Sequence, residues 1–359
     1  MKRLLLLLAT LTVATAFARQ EAAPAADTTL TARIDRLEAK NSNWEKILSR
    51  LPEISGYVQL NYKWSDDGTS TFLLKRVRVS LAGDIVPKLD YRIQVELAKP
   101  QIVDAYLQYK PFDQLNVKLG QYKIPFSIEN TVYAPLKFEF IDYPLALSRM
   151  MGISETVGGK SLSATGRELG LTLWGGFLKR DGYHVVNYDL GIYNGAGINT
   201  KDDNKSKDIA ARLMIRPVAG LTLAGSYYRG EFGPDYLERT RYGAGACYDH
   251  GPVVVRGEWI GGTTGTPRSE ELPAGSFDSS GWYVMGGWRI IRSFMAALRY
   301  DTLLADTSRR RTRQTNYTVG LTWQPFKYLR CQLNYTYEDY KIASKYDCNS
   351  LSVMISGIF

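Results

Sequence analysis

Arg76 and Arg78 stand two residues apart, so an extended backbone turns both guanidinium groups to one side, where their like charges repel. Such a one-sided pair suits transient capture of an anion, because guanidinium holds carboxylate or phosphate oxygens through charge-assisted hydrogen bonds. Lys75 precedes the pair at the opposite phase. Arg92, Lys118, Arg212, Arg241, Arg256, Arg299 and Arg330 take the polar side of their own alternating segments, and so do Asp90, Glu96, Asp104, Glu168, Asp189, Glu258 and Asp301. Arg256 and Glu258 are same-side neighbours and are expected to pair with each other, stiffening the wall. Nucleophilic catalysis has no comparable constellation: the two histidines, His184 and His250, fall in expected turns, and neither meets a serine in a plausible cleft. No metal-ligand spacing or phosphate-binding glycine loop is present, so neither an enzyme nor a cofactor is expected. Gly243-Ala244-Gly245 reads as a small-residue strand segment and no more.

The elements that carry these residues have a period of two. From Ile54 to Phe359 the chain divides into sixteen segments of about ten residues, from 54–64 to 348–359, in most of which every second residue is apolar. Tyr317, Val319, Leu321 and Trp323 alternate with Thr318 and Thr322; Val77, Val79 and Leu81 alternate with Arg78 and Ser80. A soluble sandwich hides such an apolar face, whereas a membrane barrel turns it to lipid and its polar face to a water-filled lumen. The connections separate the two. Every second one is short and mostly carries Pro or Gly, as at Pro87, Pro111, Pro217, Gly251 and Pro325, while the others are mostly long and charged. Short turns at one end and long loops at the other belong to an outer-membrane barrel. The last segment ends on Phe359 at the outward phase, and it must pair with the first, since an open edge cannot lie in hydrocarbon. The expected fold is all-β: a 16-stranded antiparallel transmembrane β-barrel over 53–359, preceded by a short N-terminal coiled-coil helix. An exported β-rich binding protein or adhesin is the alternative outside the transport class.

Met1-Lys2-Arg3, the uncharged run from Leu4 to Val13 and Ala16-Phe17-Ala18 have the order of a cleavable signal peptide, placed at 1–18. Within 19–52 a polar lead precedes Leu30, Ile34, Leu37, Asn41, Trp44, Leu48 and Leu51, a heptad seam that reads as a periplasmic coiled coil aiding association. The 24 tyrosines and 32 glycines favour strands and tight turns. Cys247, Cys331 and Cys348, odd in number and widely spaced, rule out a fully paired disulfide framework. The net charge of +9 falls by two with Lys2 and Arg3 and stays basic, which fits lipopolysaccharide or small anions as partners and, in an exported chain, not nucleic acid. Arg309, Arg310, Arg311 and Arg313 share a long loop, where attraction of anions to the mouth and lipopolysaccharide contact fit equally well.

One connection, 123–165, is about 43 residues long. Pro125, Phe126, Tyr133, Phe140, Tyr143 and Pro144 make it too apolar to hang in solvent, so it is expected to fold into the lumen as a constriction loop. Its charges are mixed: Lys123, Lys137, Arg149 and Lys160 against Glu129, Glu139, Asp142 and Glu155.

Several stretches together resemble the phosphate-selective porin O and P family: Gly56-Tyr57-Val58-Gln59, the run from Phe72 to Gly83, Val103-Asp104-Ala105-Tyr106-Leu107, and Gly120-Gln121-Tyr122-Lys123-Ile124-Pro125-Phe126-Ser127. Arg149-Met150-Met151-Gly152, Gly166-Arg167-Glu168-Leu169-Gly170 and the heptad lead extend the likeness to nearly all of the chain after residue 18. The resemblance implies trimeric sixteen-stranded barrels that carry anions past a ladder of lumenal bases. Carried onto this chain, the ladder's basic second strand is Lys75-Arg76-Val77-Arg78, with Arg149 from the constriction loop, and Lys118 and Arg92, inward by their phase, complete the expected anion pathway. The expectation is an outer-membrane homotrimer for passive diffusion of small anions, phosphate or polyphosphate among them, with a general non-specific porin as the alternative.

Overall fold

Strand-forming β-branched and aromatic residues at every second position, punctuated by turn residues, leave the chain little choice but a meander of hairpins. The computed structural model describes residues 51–359 except 134, 138, 152–165, 267–274 and 343–344. The expected signal peptide and the heptad seam lie outside the described residues, apart from Leu51. The meander opens with β1 (Glu53–Ser65), β2 (Ser70–Val86), β3 (Leu89–Glu96), β4 (Gln101–Phe112), β5 (Leu115–Lys123), β6 (Arg167–Arg180), β7 (Tyr183–Tyr193) and β8 (Asp208–Ile215). It continues through β9 (Leu221–Phe232), β10 (Leu237–His250), β11 (Val253–Thr266), β12 (Gly275–Ile291), β13 (Phe294–Leu304), β14 (Arg313–Phe326), β15 (Leu329–Tyr340) and β16 (Cys348–Ile358). Each strand pairs antiparallel with its neighbours in sequence, and β1 pairs with β16, so the sheet closes into a sixteen-stranded barrel.

At the seam, Gly56 and Phe359 exchange backbone hydrogen bonds of 2.9 and 3.0 Å. A Cβ on Gly56 would stand 2.5 Å from both the Phe359 ring and the Arg78 carbonyl oxygen, so only glycine lets the terminal ring lie over the joint. No edge is left, which is the condition for strands to lie in hydrocarbon.

Polarity is inverted relative to a soluble protein. Along β14, Tyr317, Val319 and Trp323 are exposed on the outside while Asn316, Thr318 and Thr322 are buried toward the lumen. The outer rings fall into rows. Trp282, Tyr300, Tyr317 and Tyr337 follow one another across β12–β15 with centroids 5.0, 5.3 and 6.2 Å apart, and Trp288, Trp323, Phe326 and Tyr328 line the opposite, short-turn end. Two aromatic girdles around an aliphatic waist mark the two interfaces of a bilayer. No helix among the described residues is long and apolar enough to cross a membrane.

Turns such as Pro87-Lys88 and Gly251-Pro252 join strands at the end where β1 begins, and the long connections lie at the other. His184 and His250 occupy strand ends beside these turns, not the turns themselves.

Adjacent residues of β16 test the orientation. Val353 faces outward at mid-strand, and Ser352 lines an open cavity of the lumen. Val353→Arg should cost about 2–4 kcal/mol in urea unfolding from lipid vesicles, because it carries a charge into hydrocarbon, and Ser352→Arg should cost clearly less. Equal costs would contradict the assigned faces.

Candidate functional site

The connection between β5 and β6 turns into the barrel. Its base is tied by the Ile124 N–H donating to the Gly166 carbonyl at 3.1 Å. It holds two short helices, α1 (Ile128–Thr131), capped by the Ser127 hydroxyl, and α2 (Leu145–Met150), which follows Pro144. Phe126, Leu147, Met150 and Met151 are buried against Tyr193, Ala210, Tyr228, Ile260 and Leu303 of the wall, and Phe140 packs against Val254, Tyr283 and Met285. Each such apolar side chain contributes on the order of 1.5–3 kcal/mol when removed from water. Inward-facing glycines make the seat. A Cβ on Gly243 would stand 3.0 Å from the Phe126 ring, one on Gly281 2.8 Å from the Ala146 Cβ, and one on Gly320 2.8 Å from the Phe140 ring. Gly243, which the sequence pattern marks only as a small strand residue, is thus part of a socket whose occupant lies more than a hundred residues upstream.

Buried charges lock the loop to the same wall. Arg256 of β11 reaches Glu129 at 2.5 Å and Glu139 at 2.6 Å, with its guanidinium 3.8 Å from the centre of the Tyr133 ring. Glu258 accepts hydrogen bonds from the Ile128 and Glu129 N–H groups (2.6 and 3.0 Å) and from the Ser127 hydroxyl (2.8 Å). The expected Arg256–Glu258 pair is therefore not what forms. Two loop carboxylates compete for the guanidinium, and the free N–H groups that open α1 compete for the carboxylate. Arg299 does pair along its own strand, with Asp301 at 2.9 Å, but both also hold the loop, through the Asp142 carbonyl (2.8 Å) and the Leu145 N–H (3.0 Å). Arg241 and Arg330 donate to the carbonyls of Met150 and Leu136, each at 2.9 Å.

The loop thus occupies one side of the lumen and leaves the other open as two cavities of about 560 and 650 Å³. Arg78 lines both. Toward the long connections, the larger cavity is lined by Lys63, Lys75, Arg76, Arg78, Lys99, Arg149 and Arg299 against Glu96, Asp142 and Glu338. The smaller has Arg78, Arg92, Lys118, Lys123, Arg167 and Arg212 against Asp104 and Asp189. All six bases expected on the anion pathway border one cavity or the other. Lys63 was missed although its alternation phase points inward. Lys99 lies in the β3–β4 link, where alternation carries no signal.

Lys75 requires a correction. The alternation places it outward, but a β-bulge sets Gln59 opposite Arg76 and Leu60 opposite Leu74, so Lys75 is the extra residue and turns inward to the Asp142 carboxylate. Enclosure in the lumen opposes ionisation of Asp142, yet the Lys75 ammonium beside it, with Arg76 and Lys63 beyond, draws its carboxyl down to about 2. Other bases are held differently. Arg78 pairs with Glu96 at 3.0 Å, and Arg92 stands 3.9 Å from Asp104, which Arg167 engages at 2.6 Å. Arg76 donates to the Gln59 side chain at 2.8 Å, and the Lys118 ammonium lies 4.8 and 5.3 Å from the centres of the Tyr106 and Tyr122 rings. Neither Arg76 nor Lys118 has an acid partner among the described residues.

The stretch Gly120-Gln121-Tyr122-Lys123 builds this corner. Gly120 has φ +134°, and a Cβ there would meet the Ala105 carbonyl oxygen at 2.2 Å, so glycine is required where β4 and β5 approach. The Tyr122 hydroxyl bonds to Thr172 at 2.9 Å. Gln121 donates to the Ile102 carbonyl (2.8 Å) and accepts from the Asn199 N–H (2.8 Å), fastening the β7–β8 connection to β4. Lys123 donates to the Asn130 carbonyl, tying β5 to α1.

Residues 53–354 match the sequence profile described as phosphate-selective porin O and P. The chain belongs to this family. Compared by sequence with curated proteins it matches none. Its fold is similar to that of an anion-selective porin from Comamonas acidovorans, with a TM-score of 0.66 and 14% identity over 86% of this chain and 99% of that one. The outer membrane channel DcaP of Acinetobacter baumannii and the outer membrane protein OmpT of Vibrio cholerae each give a TM-score of 0.61 at 12% identity, over 86% of this chain and 97% of theirs. At such identities the likeness concerns the fold. Family and fold place the protein in the outer membrane, as a porin.

Two variants of the porin test the seat. Gly320→Val, which confronts Phe140 without touching backbone, should cost about 1–3 kcal/mol, free that part of the loop to proteases and raise single-channel conductance. Arg256→Met leaves two buried carboxylates unpaired and should cost about 3–5 kcal/mol in thermal or urea unfolding. A conductance that stays at the wild-type value in Gly320→Val would show that the loop is held without Phe140.

Proposed function

We propose that the porin is a passive channel for small anions, phosphate-like solutes included, and that the loop narrows it at the level of Arg78. The observation that carries this reading is the segregation of charge in the lumen. On the loop side Arg256 is paired with two carboxylates, whereas the two open cavities are lined mainly by bases, of which Arg76 and Lys118 have no acid within ion-pair reach among the described residues. A cleft of one sign in a low-dielectric wall raises the local concentration of the opposite ion. An anion entering from outside meets Lys63, Lys75 and Arg149, passes Arg76 and Arg78, and leaves past Lys118 and Arg92. The porin of similar fold from Comamonas acidovorans is anion-selective, the same direction of preference.

No step needs a catalytic group, metal or cofactor, and the reading invokes none. Phosphate suits the Arg76–Arg78 level because guanidinium matches its oxygens, but Glu96 already engages Arg78, so we assign a preference for anions in general, with phosphate among them. We further infer that the chain works as a homotrimer in a lipopolysaccharide-bearing membrane, exported by residues 1–18 and assisted in association by the heptad seam.

Reversal potentials in planar bilayers under a salt gradient test the selectivity. The double variant Arg76→Gln/Lys118→Gln should lower the anion-to-cation permeability ratio on the order of tenfold at low salt, and less at 1 M, where the screening length falls to about 3 Å. An unchanged ratio would assign these side chains to wall structure. Repeating the measurement with chloride, phosphate and gluconate ranks the solutes, and equal permeabilities would favour a general porin.

A further inference from the structure

The outer face of β13–β15 carries a feature that conduction does not use. Above the ring row Tyr300–Tyr317–Tyr337, β14 begins at Arg313, which pairs with Leu304 of β13, and the Lys341 N–H donates to the Arg313 carbonyl at 2.9 Å. By the strand alternation that faces Tyr317 and Tyr337 to lipid, Arg313 and Lys341 share that face, two rungs above the rings. Arg310 and Arg311 sit in the single 3₁₀ turn just before Arg313, and all three arginines are exposed. The acids nearby are engaged elsewhere: Asp306 with Arg309 at 3.4 Å, Asp339 with Lys341 at 2.8 Å, and Asp347 with the Tyr337 hydroxyl at 2.9 Å. Arg310, Arg311 and Arg313 form no ion pair among the described residues.

We propose that this rim binds one phosphorylated glycolipid of the outer leaflet, a lipopolysaccharide molecule, with its phosphates on Arg310, Arg311 and Arg313 and its acyl chains along the aromatic and aliphatic wall below. Three features of that wall select an amphiphile over a free ion. The cations continue upward from a ring girdle, which fixes the depth of the headgroup. Tyr317, Val319 and Leu298 beneath them are exposed and apolar, a surface for chains. Phosphate groups at headgroup level meet arginines that form no ion pair among the described residues, and basic side chains at that level are drawn to an anionic surface. The proposal rests on the placement in the outer membrane and is independent of the anion preference of the lumen.

The test uses the full chain refolded in detergent, with purified lipopolysaccharide added and the complex read by native mass spectrometry. The wild type should retain one lipopolysaccharide per chain beyond a general detergent background, and Arg310→Gln/Arg311→Gln/Arg313→Gln should weaken retention by roughly tenfold or more while heat-modifiable migration and single-channel conductance stay at wild-type values. Enzymatically dephosphorylated lipopolysaccharide should bind the wild type as weakly as intact lipopolysaccharide binds the variant. Equal retention by wild type and variant would overturn the site, and so would displacement by millimolar inorganic phosphate, which would make it a free-ion site. Retention of phosphatidylglycerol as strong as that of lipopolysaccharide would reduce it to a generic anionic surface and equally overturn the assignment.

Discussion

Hydrocarbon offers backbone N–H and C=O groups no partner, and this porin is organised around that constraint. Every strand must be paired on both sides, so β1 must find β16, and the pairing of Gly56 with Phe359 completes the circle. Closure of sixteen strands leaves an interior too wide for the wall side chains to fill. The barrel therefore needs an insert if its lumen is to have a defined cross-section. The β5–β6 connection is that insert. Its apolar side repeats, inside the barrel, the burial that the outer wall cannot use because the wall faces lipid.

Seating that insert divides the interior by chemistry. On one side the wall supplies glycines that receive rings, and buried carboxylates and guanidiniums that meet loop charges and the loop backbone. Breaking either kind of contact strands a buried charge or a ring, so the loop sits on its wall as a rigid lining. On the other side the wall lines two open cavities with more bases than acids. Arg78 borders both cavities, and its pairing with Glu96 fixes one guanidinium there, while Arg76 beside it donates to the Gln59 amide.

Much of this was legible in the sequence because it depends on local periodicity. Sixteen alternating segments, the short Pro- and Gly-bearing turns and the outward Phe359 are properties of residues near each other in the chain, and all sixteen strands lie where the alternation puts them. The errors arose where a distant segment intervenes. Lys75 was assigned outward by parity, and parity fails at a bulge, which a two-residue repeat does not encode. Arg256 and Glu258 were matched to each other because they are neighbours on one strand, while their partners lie about 120–130 residues upstream in α1 and its flanks. Gly243, Gly281 and Gly320 carry no local sign of the rings they admit.

The same separation explains why inward charges counted along the chain suggest no clear preference for either sign. Bases and acids on the inward phase are nearly balanced in number, and a pore lined by all of them would be close to neutral. Position decides otherwise. Glu129, Glu139, Glu258 and Asp301 anchor the loop together with Arg256 and Arg299, while the two open cavities are bordered by more bases than acids, Lys63, Lys75 and Arg167 among them. Which charges border the open cavities therefore depends on where the loop docks, a property of the fold that composition does not carry.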